Sequence, residues 1–393
     1  MKKMKILHTV EFYDPSVGGA QEVVKQISEH LVKIGHDVTV ATTQLSDRKF
    51  KILNGVKIKE FKISGNRAFG LHGEVKKYID FVVNSKFDVV MNYAAQQWAT
   101  DSIIDKLTQI KAKKIFVPCG FSGLNIKEYK DYFTKMPTWL ANYDALVFPA
   151  KNYQDYVFAK NHGLKNLIEI NNAADFAKFN NKSLNIKEKI GIRKGNLTLL
   201  LVGSHSGAKG HREAINTLNI LPHKRVSLII VAKNESSNCS KKCINSEKKF
   251  NNSILRKIDH KQLFVKELTR EETISLFSEA DLFFFPSNVE CAPLVIYEAI
   301  AAKLPFAATD VGNIKILVKK SGLGHVLASQ KIKKGLTKLK VLPAAFQLNK
   351  IIKNLPTDKR NSIKEFSKNK AKYDWKIISK KYESLYKKLV NEK

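Results

Sequence analysis

Residues 280–306 read ADLFFFPSNVECAPLVIYEAIAAKLPF, and the order of features in that stretch decides the architecture. Ala280, Leu282, Phe283, Phe284 and Phe285 make an apolar run that Pro286-Ser287-Asn288 ends, the pattern of a strand buried on both faces. Pro293 reads as a first helical residue, where its missing amide hydrogen would have had no partner. Leu294, Ile296, Ala299, Ile300 and Ala301 continue an apolar stripe at helical spacing. A strand that hands over to a helix in so few residues puts the helix's free amides at the carboxyl edge of a sheet, a place suited to an anion. Glu290 stands just before that helix and Glu298 roughly one and a half turns inside it. The two carboxylates read either as charges that cap and solvate a helix or as acceptors facing a ligand at the sheet edge.

Working outward, 393 residues exceed what one hydrophobic core organises, so two domains are expected. The 44% hydrophobic content fills two cores and excludes wholesale disorder. The basic start, MKKMKILHTVEFYD, has too short an apolar part for a signal peptide and fits a first strand. No apolar run reaches membrane-spanning length. Cys119, Cys239, Cys243 and Cys291 show no disulfide or zinc spacing, which points to a reducing cytoplasm. Net charge is +32, divided as roughly +8 before residue 181 and roughly +24 after it. Solvated surface and peripheral attraction to an anionic membrane both fit this excess. A nucleic-acid binder would need arginine- and aromatic-bearing modules, and none is present.

Lys5–Val10 reads as a strand, a loop carrying Gly18 and Gly19 follows, and Val23, Val24, Ile27, Leu31, Val32 and Ile34 keep a helical period before a strand at 36–43. The glycine pair is either a plain tight turn or a point where backbone approaches a phosphate or sugar. Strands at 56–63, 87–93, 114–118, 145–149 and 167–171 continue the series, and after residue 180 it restarts at 197–202, 226–231, 263–265, 282–285 and 305–309. Strands alternating with helix-length segments mean parallel sheets covered on both faces, so two Rossmann-like halves lie in tandem. A second glycine-rich turn, Val202–Gly210, follows a buried strand, and its amides and Lys209 can face a diphosphate. Residues 234–258 read as a polar surface excursion. Cys239 and Cys243 read as incidental there, since no further ligands accompany them. Trp98 reads as a sugar-stacking ring or a core indole.

Pro286-Ser287, Glu290, Pro293-Leu294, Glu298-Ala299 and Pro305 together resemble the signature of the family 4 retaining glycosyltransferases, also called group 1, which have the GT-B fold. The resemblance implies two tandem Rossmann-like domains with parallel sheets facing a central cleft: residues 1–178 on the acceptor side, 179–374 binding the nucleotide sugar, and a Trp375-marked helix, 375–393, crossing back to the first domain. It implies catalytic roles for Glu290, Lys209 and Gly19, and donor binding by Gly18, Gly203, Ser204, Lys209, Ala292, Leu294, Val295 and Glu298. The chain departs from the pattern at Ser204, where the family has a phosphate-gripping arginine, at Cys119, where many members have histidine, at Ile316, where an acidic residue is usual, and at Ala173 in the interdomain segment. With no Asp-x-Asp motif, no metal or cofactor is called for beyond the nucleotide sugar as co-substrate.

The function so implied is retaining transfer of a hexose-type sugar from a nucleotide diphosphate donor to a carbohydrate or lipid-linked acceptor, in polysaccharide or glycolipid assembly at the cytoplasmic face. The departures support a second expectation, a weakened GT-B protein that binds a nucleotide sugar or a partner without turnover.

Overall fold

The computed structural model describes residues 3–180, 184–233, 237–332, 335–367 and 370–392. It divides into two compact units, Met1–Asn172 with Trp375–Lys393, and Ala173–Asp374. The division falls earlier than the 178/179 boundary read from sequence. Ala174, Phe176 and Phe179 are buried in the core of the second unit, and the Ala174 amide donates to the Tyr373 carbonyl at 3.0 Å.

The first unit contains β1 (Lys5–Thr9), β2 (Asp37–Thr43), β3 (Ile52–Leu53), β4 (Val56–Phe61), β5 (Ile63–Asn66), β6 (Gly70–Gly73), β7 (Val89–Tyr93), β8 (Lys113–Val117), β9 (Ala145–Phe148) and β10 (Leu167–Glu169). Among the described residues, eight of these form one sheet in the order β10-β9-β8-β7-β1-β2-β4-β3, parallel except for the β3–β4 edge. The sequence reading ran β4 on to Ile63, but the chain leaves the sheet after Phe61 to make the separate hairpin β5–β6. Helix Gly19–Lys33 buries Val23, Val24, Ile27 and Leu31 of the stripe its periodicity predicts, while Val32 is half-buried and Ile34, at the C-cap, is exposed. Helix Trp375–Asn391 packs beside it, burying Ile378, Tyr382 and Tyr386. His8, buried on β1, joins the two helices: its Nδ1 lies 2.7 Å from the Ser28 hydroxyl and its Nε2 3.1 Å from the Tyr386 hydroxyl.

The second unit contains β11 (Leu197–Val202), β12 (Val226–Val231), β13 (Gln262–Lys266), β14 (Leu282–Phe285), β15 (Phe306–Ala308), β16 (Gly324–Val326), β17 (Ser329–Lys331) and β18 (Thr337–Leu339). The first six form a parallel sheet in the order β13-β12-β11-β14-β15-β16, and β17 pairs with β18. Successive residues of its central strands feed opposite cores. Leu200, Phe283 and Phe285 pack with Phe277 and Ile300 on one face, while Leu199, Leu201, Leu282 and Phe284 pack with Leu218 and Leu348 on the other. Two-sided burial is why these strands read as continuous apolar runs instead of alternating ones. Residues 238–258 correct the expectation of a surface excursion, because Asn238–Asn252 and Ile254–Ile258 are helices and Cys243 and Phe250 reach the core. Residues 234–236 lie outside the described residues. The premise that no further ligand types accompany Cys239 and Cys243 is corrected too, since the first of these helices brings both beside His205 and His211.

Each sheet reverses its winding once. Strands run outward in one direction from β1 and in the other from β7 in the first unit, and likewise from β11 and β14 in the second. Loops leaving the carboxyl ends of such a neighbouring pair diverge to opposite faces and leave a crevice, the place where open α/β sheets hold ligands.

Burial holds His8 neutral and pushes its pKa down to about 3. The unfolded chain takes up a proton there below about pH 6.5, so this contribution is complete above that value. It is lost as pH falls toward the folded-state value, by about 1.4 kcal/mol per pH unit at most. Denaturant midpoints measured between about pH 7 and about pH 4 are expected to fall less steeply for His8→Gln than for the parent chain.

Candidate functional site

At the β11/β14 reversal of the second unit, the turn after β11 carries Lys209 and the loop after β14 carries Glu290. Their side chains meet, with Lys209 Nζ 2.6 Å from Glu290 Oε1, and the Ser287 hydroxyl donates to the same oxygen at 2.9 Å. The Asn288 amide donates to the Ala208 carbonyl at 2.8 Å and ties the two loops together. Thr309, just past β15, donates its hydroxyl to the Ser287 carbonyl at 2.5 Å.

Two glycines set the spacing. Gly210 has φ +72°, and a Cβ there would lie 2.0 Å from the Pro286 carbonyl oxygen; Gly312 has φ +51°, and a Cβ there would lie 2.1 Å from the Cys291 carbonyl oxygen. Both positions need a left-handed backbone and close contact, which only glycine combines without strain. Gly203 leaves room for the Lys209 stem, whose Cγ is 3.0 Å from where a Cβ would stand, and the adjacent Ser204 is exposed.

Helix Leu294–Ala301 starts one residue later than the sequence indicates. Pro293 is its N-cap, with ψ 121° outside the helical region, so it precedes the helix. The amides of Leu294 and Val295 are first-turn donors with no acceptor inside the helix, and Ala292 lies just before them, buried. Glu298 is buried and paired with Arg270, whose guanidinium also lies 5.8 Å from the Phe179 ring centre. That excludes the reading of Glu298 as a solvated carboxylate. Sequence reasoning missed Ser287, Thr309 and Arg270 as partners of the two glutamates. Only Ser287 left a signal, since it sits three residues before Glu290 at the strand's end.

At the β1/β7 reversal of the first unit, Gly18 caps helix Gly19–Lys33. A Cβ on Gly18 would strike the Gln21 side chain at 2.5 Å, whereas one on Gly19 would meet nothing within 4 Å. The Glu11 amide donates to Gln97 Oε1 at 2.8 Å, joining the loops that follow β1 and β7. Cys119 and Gly120, after β8, both have positive φ, and the Gly120 amide donates to Asp155 at 2.8 Å. Burial pushes the Asp155 carboxyl up to about 6 despite that bond. Trp98 is fully buried and donates from its indole nitrogen to Thr43 Oγ1 at 2.8 Å, so it belongs to the core and is not a sugar-stacking platform.

Residues 182–354 match a family model described as "Glycosyl transferases group 1". No curated protein matches the chain by sequence. Solved structures with the same fold include sucrose-phosphate synthase from Thermosynechococcus elongatus, at TM-score 0.77 and 14% identity over 98% of this chain and 99% of that one. They also include Anabaena Alr3699/HepE in complex with UDP and glucose, at TM-score 0.74 and 15% identity over 98% of this chain and 100% of that one. WaaG, a glycosyltransferase involved in lipopolysaccharide biosynthesis, aligns at TM-score 0.65 and 16% identity over 97% of this chain and 99% of that one. These findings bear out the resemblance to the group 1 glycosyltransferases, over residues 182–354, and the expectation of the GT-B fold.

Gly312→Ala is expected to destabilise the second unit by about 2 kcal/mol or more, a Tm loss of roughly 4–8 °C in a unit of this size. Gly19→Ala, with open space around it, should stay within about 1 kcal/mol of the parent chain. Thermal unfolding of both variants checks the contrast.

Proposed function

We propose that this chain is a retaining hexosyltransferase of family 4 that takes its sugar from a nucleotide diphosphate donor. The observation that carries the reading is the Lys209–Glu290 pair, assembled at the β11/β14 reversal of the second sheet. Breaking the bond at the anomeric carbon leaves positive charge on the sugar and new negative charge on the diphosphate. The site must neutralise the second while it orients the first. Lys209, with the amides of Ser204, Ala292, Leu294 and Val295, receives the diphosphate; the Gly203 amide, expected from the sequence to join them, is already committed to the Val231 carbonyl at 3.0 Å. Glu290 accepts hydrogen bonds from sugar hydroxyls, and Glu298, aimed by Arg270, accepts them from the ribose. In the first unit, Gly19 presents unshielded backbone to the acceptor, and Gly18, covered by the Gln21 side chain, caps the helix that Gly19 opens. The leaving phosphate oxygen takes the acceptor's proton on the face it departs from, so configuration is retained without a protein nucleophile. No step here requires a metal.

Two of the structural relatives favour a glucose-type donor and a surface-glycan acceptor, one having been solved with UDP and glucose and another acting in lipopolysaccharide biosynthesis. We assign the acceptor to polysaccharide or glycolipid assembly on a cytoplasmic membrane face. The +32 charge and the exposed Ile254, Leu255 and Ile258 beside Arg256 and Lys257 fit peripheral contact with anionic lipid. Among the described residues, no helix is long and apolar enough to cross a membrane. Ser204, exposed where the family pattern has an arginine, favours the second reading of binding without turnover.

A panel of nucleotide sugars separates the two readings. Release of free nucleotide supports the enzyme, and saturable binding with none released supports the binder. Glu290→Gln and Lys209→Ala are each expected to lower kcat/KM by about 10²–10³-fold. Full turnover in both variants would remove the assignment. Product anomeric configuration, read by NMR, decides retention.

A further inference from the structure

We propose that the second unit holds a structural zinc ion, bound by His205, His211, Cys239 and Cys243. These four residues offer one ligand atom each, and all four atoms lie within 4.8 Å of one another. His205 and His211 Nδ1 are 3.2 Å apart, and Cys239 Sγ and Cys243 Sγ each lie 3.8 Å from His211 Nδ1. A tetrahedron with ordinary zinc bond lengths separates two nitrogens by about 3.3 Å, nitrogen from sulfur by about 3.6 Å and two sulfurs by about 3.8 Å. The cluster is therefore within roughly 1 Å of the coordinating geometry before any ion draws it together.

The fold converges on this point from two directions. His205 belongs to the turn after β11 and His211 opens helix His211–Ile220. Cys239 and Cys243 stand one turn apart on helix Asn238–Asn252, so both sulfurs project from one helix face. His205, His211 and Cys243 are buried and Cys239 is half-buried, so the site is closed. Two thiolates and two neutral imidazoles cancel the charge of a divalent ion, which makes its burial tolerable. The same donors favour zinc over the hard, oxygen-seeking magnesium and calcium.

The sequence reading that the cysteines lack zinc spacing is corrected here: with the histidines beside them, both spacings fall within the ranges seen in zinc sites, five residues between the histidines and three between the cysteines. Four protein ligands leave no open coordination position, so the ion would be structural. It would clamp the turn carrying Lys209 to the neighbouring helix, at a site distinct from the Lys209–Glu290 pair and independent of the sugar-transfer reading.

The test uses the full chain, freed of any affinity tag and purified without added metal, with metals counted by mass spectrometry. About one zinc per chain is expected, falling at least tenfold in a Cys239→Ser, Cys243→Ser double variant and staying unchanged in Cys119→Ser. Because the double variant risks misfolding, the unaltered chain is also stripped and reloaded with cobalt(II). Intense visible bands of tetrahedral cobalt with thiolate charge transfer support the site. A metal-free chain that gives only the pale spectrum of aqueous cobalt overturns it, as does a Cys239–Cys243 disulfide in freshly purified protein or undiminished zinc in the double variant.

Discussion

The second unit depends on one constraint: a parallel sheet buried on both faces has to reverse its winding somewhere, and it does so between β11 and β14. Covering both faces commits the strands to apolar residues and leaves chemistry to the loops at their carboxyl ends. Where the winding reverses, two such loops part and expose backbone that needs polar partners. The Asn288–Ala208 bond and the Ser287 hydroxyl, which also donates to the Ala208 carbonyl, meet that need, and the Lys209–Glu290 ion pair lies beside them.

Glycine carries the geometry that side chains cannot. Gly210 presses against the Pro286 carbonyl and Gly312 against the Cys291 carbonyl, so the loop bearing Glu290 is fixed from both sides by backbone contact. Arg270 does the comparable work for Glu298, reaching it from the first residue of helix Arg270–Glu279, whose start is held by the Thr269–Glu272 capping box. Both carboxylates are thereby held in fixed positions by contacts within the protein.

The first unit is built on the same plan with different joinery. Its β1/β7 reversal carries Gly18 and Gly19, and a single buried histidine, His8, ties β1 to helix Gly19–Lys33 and to the C-terminal helix Trp375–Asn391. Helix Trp375–Asn391 is thus part of the core that supports the first glycine turn.

The sequence alone determined the sheets and the residues at their edges. Uninterrupted runs such as Leu282–Phe285 can only be buried on both faces, and the segments between them have helix length, so the alternating α/β plan was legible. That Glu290, Lys209 and Gly19 lie on segments following strands was legible too, whereas the roles expected of them came from the family resemblance. Tertiary structure decided the rest. The Arg270–Glu298 pair spans 28 residues and the Lys209–Glu290 pair 81, separations at which no local period operates. Helix 238–252 is too polar to announce itself as packed, yet it delivers two thiols to two histidines that lie near in sequence to each other and far from the cysteines. Trp98 went to the core because the hydroxyl it needs, on Thr43, lies on a neighbouring strand. Periodicity reports which face of an element is covered; what covers it is settled only when distant segments meet.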